Sequence, residues 1–218
     1  MRKLLLVGAG QHCGAVLDVL LLGHDYDEIA IIGFKSEINT SIMGVPCIGS
    51  DEDLNDLFTK GYTNAFISIG SVESTNARVR VYNQLKDIGF SFPNIISKNA
   101  IVSQFASLGE GVLACNGVII GANAQVKDFV ILNTASIVDH DSIIGEFSHI
   151  SAGACVASNN IIGAHSFVGV GATMLPGVSI GNHSLIGAGS NVIRNIEDNV
   201  VAVGNPCKVI KQRTDGGD

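Results

Sequence analysis

Every sixth residue from Ile96 to Val192 is apolar, and fifteen of these seventeen positions are Ile, Leu or Val. Four residues after each anchor comes a slender side chain, and from Ala100 to Ile196 fifteen of the seventeen are Ala, Ser or Val. The register runs from 96 to 197 with no insertion. A period of six is not helical, because 3.6 does not divide it, whereas it holds three strand periods of two. Each hexad therefore reads as a short strand and a turn, with the anchor facing a narrow interior and the small residue at a corner. The composition follows from this pattern: 26 of the 218 residues are Gly, aromatics make up only 6%, and Trp is absent.

The repeat resembles the hexapeptide-repeat family, whose chain winds as a left-handed parallel β-helix with three hexads in each triangular coil. The resemblance implies between five and six coils and, at ~4.8 Å per coil, a prism roughly 25–27 Å long. The left-handed winding comes from the resemblance and not from the spacing, and it opposes the usual crossover rule.

Several classes are excluded. Hydrophobic residues at 46% and charged residues at 15% do not describe a disordered chain, and four Pro do not make collagen. No apolar run reaches the ~18–20 residues that span a bilayer. The start Met1-Arg2-Lys3-Leu4-Leu5-Leu6-Val7 is cut short by Gly8-Ala9-Gly10 before it could serve as a secretory signal, so a cytoplasmic protein with no membrane contact is expected. Five scattered cysteines without a CxxC fit buried, reduced thiols. A net charge of −7 argues against a nucleic-acid partner.

Residues 1–95 read as a separate domain, with 96–218 forming the β-helix and a tail. Strand-like runs at Lys3–Val7, Ile29–Ile32 and Ala65–Ile69 alternate with helical patterns at Ala15–Leu22, Asp51–Phe58 and Thr75–Ile88. This predicts a small, Rossmann-like α/β domain with a parallel sheet. The turn GAGQHCG at 8–14 follows a strand and opens a helix, so its N–H groups suit a phosphate. Its third Gly falls one residue late for a dinucleotide fingerprint, and Gly33-Phe34-Lys35 supplies no acidic residue after the second strand. A phosphate or nucleotide-sugar site is favoured over NAD.

Three blocks narrow the resemblance: GAGQHCG at 8–14, ILNTASIVDHDSIIGEFSHISAGA at 131–154, and VGNPCKVI at 203–210. In this order they resemble the bacterial nucleotide-sugar acyltransferases, the family of bacillosamine- and perosamine-type N-acetyltransferases and sialic acid O-acetyltransferases. The resemblance implies a nucleotide-sugar held by the N-terminal domain, a homotrimer, and acetyl-CoA in the cleft between neighbouring β-helices. It implies His140 and Asp141 as the catalytic pair, with Asp141 in place of the usual Glu and one methylene shorter. For acetyl-CoA it implies Asn133, His149, the backbone at Val170 and Ala188, and Lys208 in a turn that carries Cys207 where the family has Ala. For the nucleotide-sugar it implies Gly10, Gln11, His12 and Gly70, with Ser36 and Glu37 at the base, where the family often has two Asp. The nucleotide, UDP, dTDP or GDP, stays open, with UDP or dTDP expected.

The remaining readings of the histidines are plainer. His24 suits a solvated turn. His165 and His183 share a hexad position 18 residues apart and should stack one coil apart as a surface pair. His12 could cap a helix, His149 could be a polar residue on a coil face, and Lys208 could be solvated. His140 lies between Asp139 and Asp141, where a carboxylate can hold the tautomer of a neutral imidazole and raise its basicity. The expected function is acetyl-CoA-dependent N-acetylation of a nucleotide-linked 4-amino-deoxysugar for bacterial surface glycans, by direct transfer without a metal. O-acetylation of a sialic-acid-like sugar is the nearest alternative. A γ-carbonic-anhydrase-like metalloenzyme lacks its close His pair, and a non-catalytic sugar-binding scaffold is the third.

Overall fold

Alternating strands and helices build the first part of the chain, and stacked two-residue strands build the second. The structure, a computed structural model, describes residues 2–23 and 25–213; His24 and the end of the tail lie outside them. Two units separate: the chain up to Gly70 with Ala77–Ile95, and Ser71–Asn76 with the chain from Ile96 onward. No composition shift marks the six residues 71–76 as part of the second unit.

In the first unit β1 (Lys3–Val7) leads through a glycine turn into α1 (Gln11–Leu20), followed by β2 (Glu28–Ile32). Then come β3 (Ser41–Ile42), β4 (Val45–Gly49), α2 (Leu54–Thr59), β5 (Asn64–Ile67) and α3 (Asn76–Ile88). The sheet order is β3-β4-β2-β1-β5, parallel except where β3 pairs with β4. The apolar runs of β1 and β2 are covered on both faces, as parallel strands require, and Leu4, Leu5, Leu6, Ile31 and Ile32 are fully buried. The hairpin-like pair β3 and β4 is an addition to the expected elements, because alternation over only five residues is a weak signal. β1 lies between β2 and β5, so chain order reverses across it, and such a switch point opens a crevice at the strands' carboxyl ends.

In the second unit parallel pairs repeat every 18 residues on three faces. Ile101, Ile119, Ile137, Cys155, Thr173 and Asn191 stack on one face; Ser107, Gln125, Ile143, Ile161 and Ser179 on the next; and Leu113, Ile131, His149, Phe167 and Leu185 on the third. Every anchor from Ala114 to Val192 is at most 4% exposed. The hexad register does not hold to 197, however. Ile196 bridges Ile180 and Val201 pairs with Leu185, each 16 residues on instead of 18, so the last coil is two residues short and Ile196 is not a corner residue. The chain then closes the stack with the antiparallel pair Val200–Val203 and Lys208–Gln212.

Each corner turns through a residue of positive φ at the fourth hexad position, every sixth residue from Gly111 to Gly189. One corner column places Phe129, Phe147, His165 and His183 there, with φ between 53° and 58°. A left-handed backbone costs a bulky residue about 1–2 kcal/mol. Ring stacking offsets this: Phe129–Phe147, Phe147–His165 and His165–His183 lie nearly parallel with centroids 4.9, 5.4 and 4.7 Å apart, each such pair contributing roughly 0.5–1.5 kcal/mol. The His165–His183 stack expected from the spacing is present.

From Val112 to Ser190 the slender residues of the fifth position are buried just inside the corners, where serines form a polar column. Ser166 Oγ donates to the Gly181 carbonyl at 2.7 Å and accepts the Ser184 N–H at 3.1 Å. Ser148 makes the same pair of bonds one coil earlier. Ser166→Ala removes these bonds, and a longer one from Oγ to the Ala164 carbonyl, while leaving the partners in place, so it should cost about 1–3 kcal/mol of stability in chemical denaturation. All five cysteines are free, three of them buried, and among the described residues no helix is long and apolar enough to cross a membrane.

Candidate active site

His140 stands on an exposed corner of the β-helix, and Asp141 occupies the left-handed position after it with φ 59°. Asp tolerates that conformation better than most residues, and from it the short carboxylate folds back onto the preceding ring. Nδ1 of His140 lies 2.7 Å from Oδ2 of Asp141, so the missing methylene does not prevent contact. Asn123, one coil earlier, donates to the other carboxylate oxygen at 3.1 Å, and Asp139 accepts the His140 backbone N–H at 2.7 Å. The hydrogen bond to Asp141 raises the His140 pKa above the ordinary histidine value, and the same bond lowers that of Asp141. With Nδ1–H directed at the carboxylate, the lone pair of the neutral ring sits on Nε2.

Gly121 lies beneath this corner. A Cβ built there would come 2.6 Å from the His140 nitrogen and 2.9 Å from the Asp139 carbonyl carbon, both backbone atoms. Gly121→Ala should therefore displace the His140 corner, and a displacement approaching 1 Å lowers turnover about 10²-fold. Measuring kcat/KM beside the melting temperature separates this loss from simple destabilisation.

Asn133 and His149 meet on the third face, half a coil from His140. His149 Nδ1 is 2.8 Å from the Ser71 carbonyl oxygen, and Asn133 Nδ2 approaches Nε2 at 3.5 Å. His149 is 6% exposed, with its ring edge-on to Phe167, so it is no ordinary polar residue on a coil face. Val170 and Ala188 are exposed and stack on the corner that Asn133 leads into, linked by the bond from Gly189 N–H to the Val170 carbonyl. Lys208 is exposed at the start of the final strand, paired with Val203. One chain thus carries two groups of candidate residues on different edges of its prism.

The first unit contains a cavity of about 450 Å³ at the switch point of its sheet. Gly10, Gln11, His12, Glu37 and Gly70 line it; Ser36, exposed on the one-turn helix at Lys35–Glu37, does not. Gly10 is the N-cap of α1, and the first turn carries no carboxylate, so this end of the helix favours an anion. His12 lies inside the first turn and is not the cap. A Cβ at Gly10 would meet no atom of the chain, so the chain's own packing does not require glycine there. Burial, and secondarily the charge of Arg78, push the His12 pKa down to about 4, so its imidazole is neutral at neutral pH. Glu37 Oε2 accepts the Phe34 N–H at 2.7 Å.

The rest of the lining includes a second carboxylate, Asp51, beside two residues suited to a ligand. Phe34, 80% exposed, and Arg80, exposed on α3, both line it. Sequence reasoning passed over both. A large aromatic left bare just beyond a buried strand is the signal that could have found Phe34. Arg80 lies in an amphipathic helix whose pattern does not separate a ligand-facing cation from a solvated one.

The family model of the PglD N-terminal domain matches residues 3–85. PerB from Caulobacter crescentus, solved with CoA and GDP-perosamine, is 33% identical with a TM-score of 0.89, over 97% of this chain and 98% of that one. The chain belongs to the hexapeptide-repeat nucleotide-sugar acyltransferase family. The acetyltransferase domain of PglB from Neisseria gonorrhoeae, solved with acetyl coenzyme A, is 31% identical to this acyltransferase, with a TM-score of 0.89 over 96% and 99% of the two chains. WeeI from Acinetobacter baumannii, 23% identical with a TM-score of 0.84 over 96% and 100%, shares the fold. The stacked coils of the acyltransferase are accordingly a left-handed β-helix. Among its described residues no three His, Cys, Asp or Glu side chains converge to hold a metal ion.

Proposed function

We propose that the chain transfers the acetyl group of acetyl-CoA to the amine of a nucleotide-linked 4-amino-deoxysugar, in the cytoplasm, for bacterial surface-glycan synthesis. The observation that carries this reading is the His140–Asp141 pair: an exposed imidazole with Nδ1 tied to a carboxylate 2.7 Å away, which leaves the lone pair of the neutral ring on Nε2. The sugar amine attacks the thioester carbonyl carbon while His140 Nε2 takes the amine proton. The tetrahedral intermediate then collapses, the C–S bond breaks, and the CoA sulfur leaves and is protonated by the His140 imidazolium. Transfer written this way needs no metal and no acyl-enzyme.

The acceptor belongs in the 450 Å³ cavity. The α1 N-terminus and Arg80 suit a diphosphate, and the bare ring of Phe34 suits stacking on a base. PerB, solved with GDP-perosamine, supports an amino-sugar on a nucleoside diphosphate. For acetyl-CoA we assign Asn133, His149, the backbone at Val170 and Ala188, and Lys208. Because these lie on a different edge from His140, a complete site needs residues of two chains, as a homotrimer supplies.

A thiol-release assay with acetyl-CoA and a panel of UDP-, dTDP- and GDP-linked 4-amino-sugars tests the reading. Saturable CoA release with one of them is expected. Release with none, while a sialic-acid-like hydroxyl acceptor does support it, would overturn N-acetylation.

A further inference from the structure

Asp141 is short and half exposed, and such a carboxylate left to itself turns about two side-chain torsions while water competes for its oxygens. Here each oxygen has its own donor. Oδ2 accepts from Nδ1 of His140 at 2.7 Å, and Oδ1 accepts from Nδ2 of Asn123, one coil earlier, at 3.1 Å. An ionised carboxylate only accepts, so the Asn123 amide must turn its nitrogen toward it. Two donors from two coils thus fix the plane of the carboxylate, and with it the direction from which Oδ2 meets the ring.

Turn formation alone would explain the residue type. Asn123, Asp141 and Asn159 hold successive left-handed positions of one corner, with φ 58°, 59° and 58°, and Asn and Asp enter that conformation more readily than other residues with a side chain. Turn formation does not require a bond between coils, however. Asn159 has the same side chain and the same backbone on the other side of Asp141, and it makes no such bond to the carboxylate. Nor does the conformation demand Asn, since Ala135 holds it at φ 55° on another corner. The charges acting on the His140 ring are those of Asp141 and Asp139. The coils on either side place the neutral Asn123 and Asn159 at this corner.

We propose that Asn123 is a positioning residue for acetyl transfer, holding the Asp141 carboxylate in the orientation that binds Nδ1–H of His140 and so keeps the Nε2 lone pair for the amine. Its consequence for turnover rests on the acetyl-transfer reading above, whereas the orientation is a property of the chain by itself. Removing the amide has two opposed effects. A carboxylate relieved of one donor is a stronger acceptor and tightens the hold of His140 on its proton; a carboxylate free to turn loses its bond to the ring and loosens that hold. At an exposed corner water replaces the lost donor, so the first effect is small and the second sets the sign.

The test uses the intact chain with ¹⁵N-labelled histidine and needs neither substrate. The His140 signal is the one absent from His140→Ala. Asn123→Gly leaves the left-handed turn unstrained and removes the amide. The His140 pKa should then fall part of the way toward the ordinary histidine value, and the neutral ring, protonated on Nδ1 in the unaltered chain, should become a mixture of tautomers. Asn159→Gly should change neither. In an Asp141→Gly background Asn123→Gly should have no further effect, because the group it acts through is gone. In turnover Asn123→Gly should lower kcat about two- to tenfold, the scale of one hydrogen bond, with KM little changed and the acid limb of the pH profile moved to lower pH. If Asn123→Gly fails to fold, Asn123→Ala gives the same readings in a turn that Ala135 shows to accept alanine. A merely structural role would lower the melting temperature and leave the pKa and the tautomer unmoved. A His140 pKa that stays or rises, or that falls equally with and without Asp141, overturns the proposal. A fall in pKa together with full turnover of His140→Ala would defeat base catalysis and leave the hold of Asn123 on the pair standing.

Discussion

His140→Ala is expected to lower kcat/KM for acetyl transfer by on the order of 10²–10⁴-fold, the usual contribution of a general base. Stability should hardly change, because the side chain is 55% exposed on a corner and packs into no core. The pH profile separates base catalysis from mere contact. Transfer needs the neutral imidazole, and the hydrogen bond to Asp141 raises its pKa. Activity should therefore rise with pH through that raised value. Asp141→Asn removes the carboxylate, so the pKa falls back toward the ordinary histidine value and the acid limb moves to lower pH. The plateau should fall about tenfold, since a less basic nitrogen takes the proton less readily. For folding the same shift has the opposite dependence: its stabilisation is present when the imidazole is charged, below the ordinary pKa, and is lost as pH rises through the raised one. With both side chains more than half exposed this contribution is screened and small. Near-normal turnover of His140→Ala would remove His140 from the mechanism.

The β-helix was legible because its period is strict and its interior too narrow to tolerate exceptions. From Ala114 to Val192 each anchor is buried as the spacing demands. The reading failed at Ile196, where the chain is still apolar at the expected interval but the coil has lost two residues; apolarity alone does not report where a strand pairs. The corner chemistry was only half visible. Spacing placed His140 beside Asp141, but whether one methylene less would still reach depends on the left-handed turn at Asp141, a backbone property that sequence does not print. In the α/β unit the turn between β1 and α1 was legible because glycines mark it. Phe34 and Arg80 were not, because their roles depend on how the ends of β2 and α3 converge on one cavity. The segment 71–76 was the least visible of all: Ser-Val-Glu-Ser-Thr-Asn reads as an ordinary polar loop, yet it belongs to the second unit and its first carbonyl accepts a hydrogen bond from the ring of the buried His149.

Chains carrying His140→Ala and chains carrying His149→Ala should each be nearly inactive alone and regain activity when unfolded together and reassembled. The argument is geometric. His140 follows a strand of the first face and stands on the corner between the first and second faces. His149 lies within the third face, opposite that corner, with Asn133, Val170 and Ala188 around the edge where the third face ends. Within a single prism these two edges cannot share one substrate, but in a ring of identical chains the corner of one can face the third face of the next. Such a head-to-tail contact closes under cyclic symmetry, and each site then draws one histidine from each neighbour. At equal mixing about a quarter of the sites would hold both intact side chains, so recovery to about a quarter of normal activity is expected. Activity per assembly should follow the product of the two mixing fractions and peak at equal proportions. If mixed assemblies verified by mass show no recovery at any ratio, the two histidines do not complete one another's site, and the pair at His140 must work with an acyl donor held elsewhere.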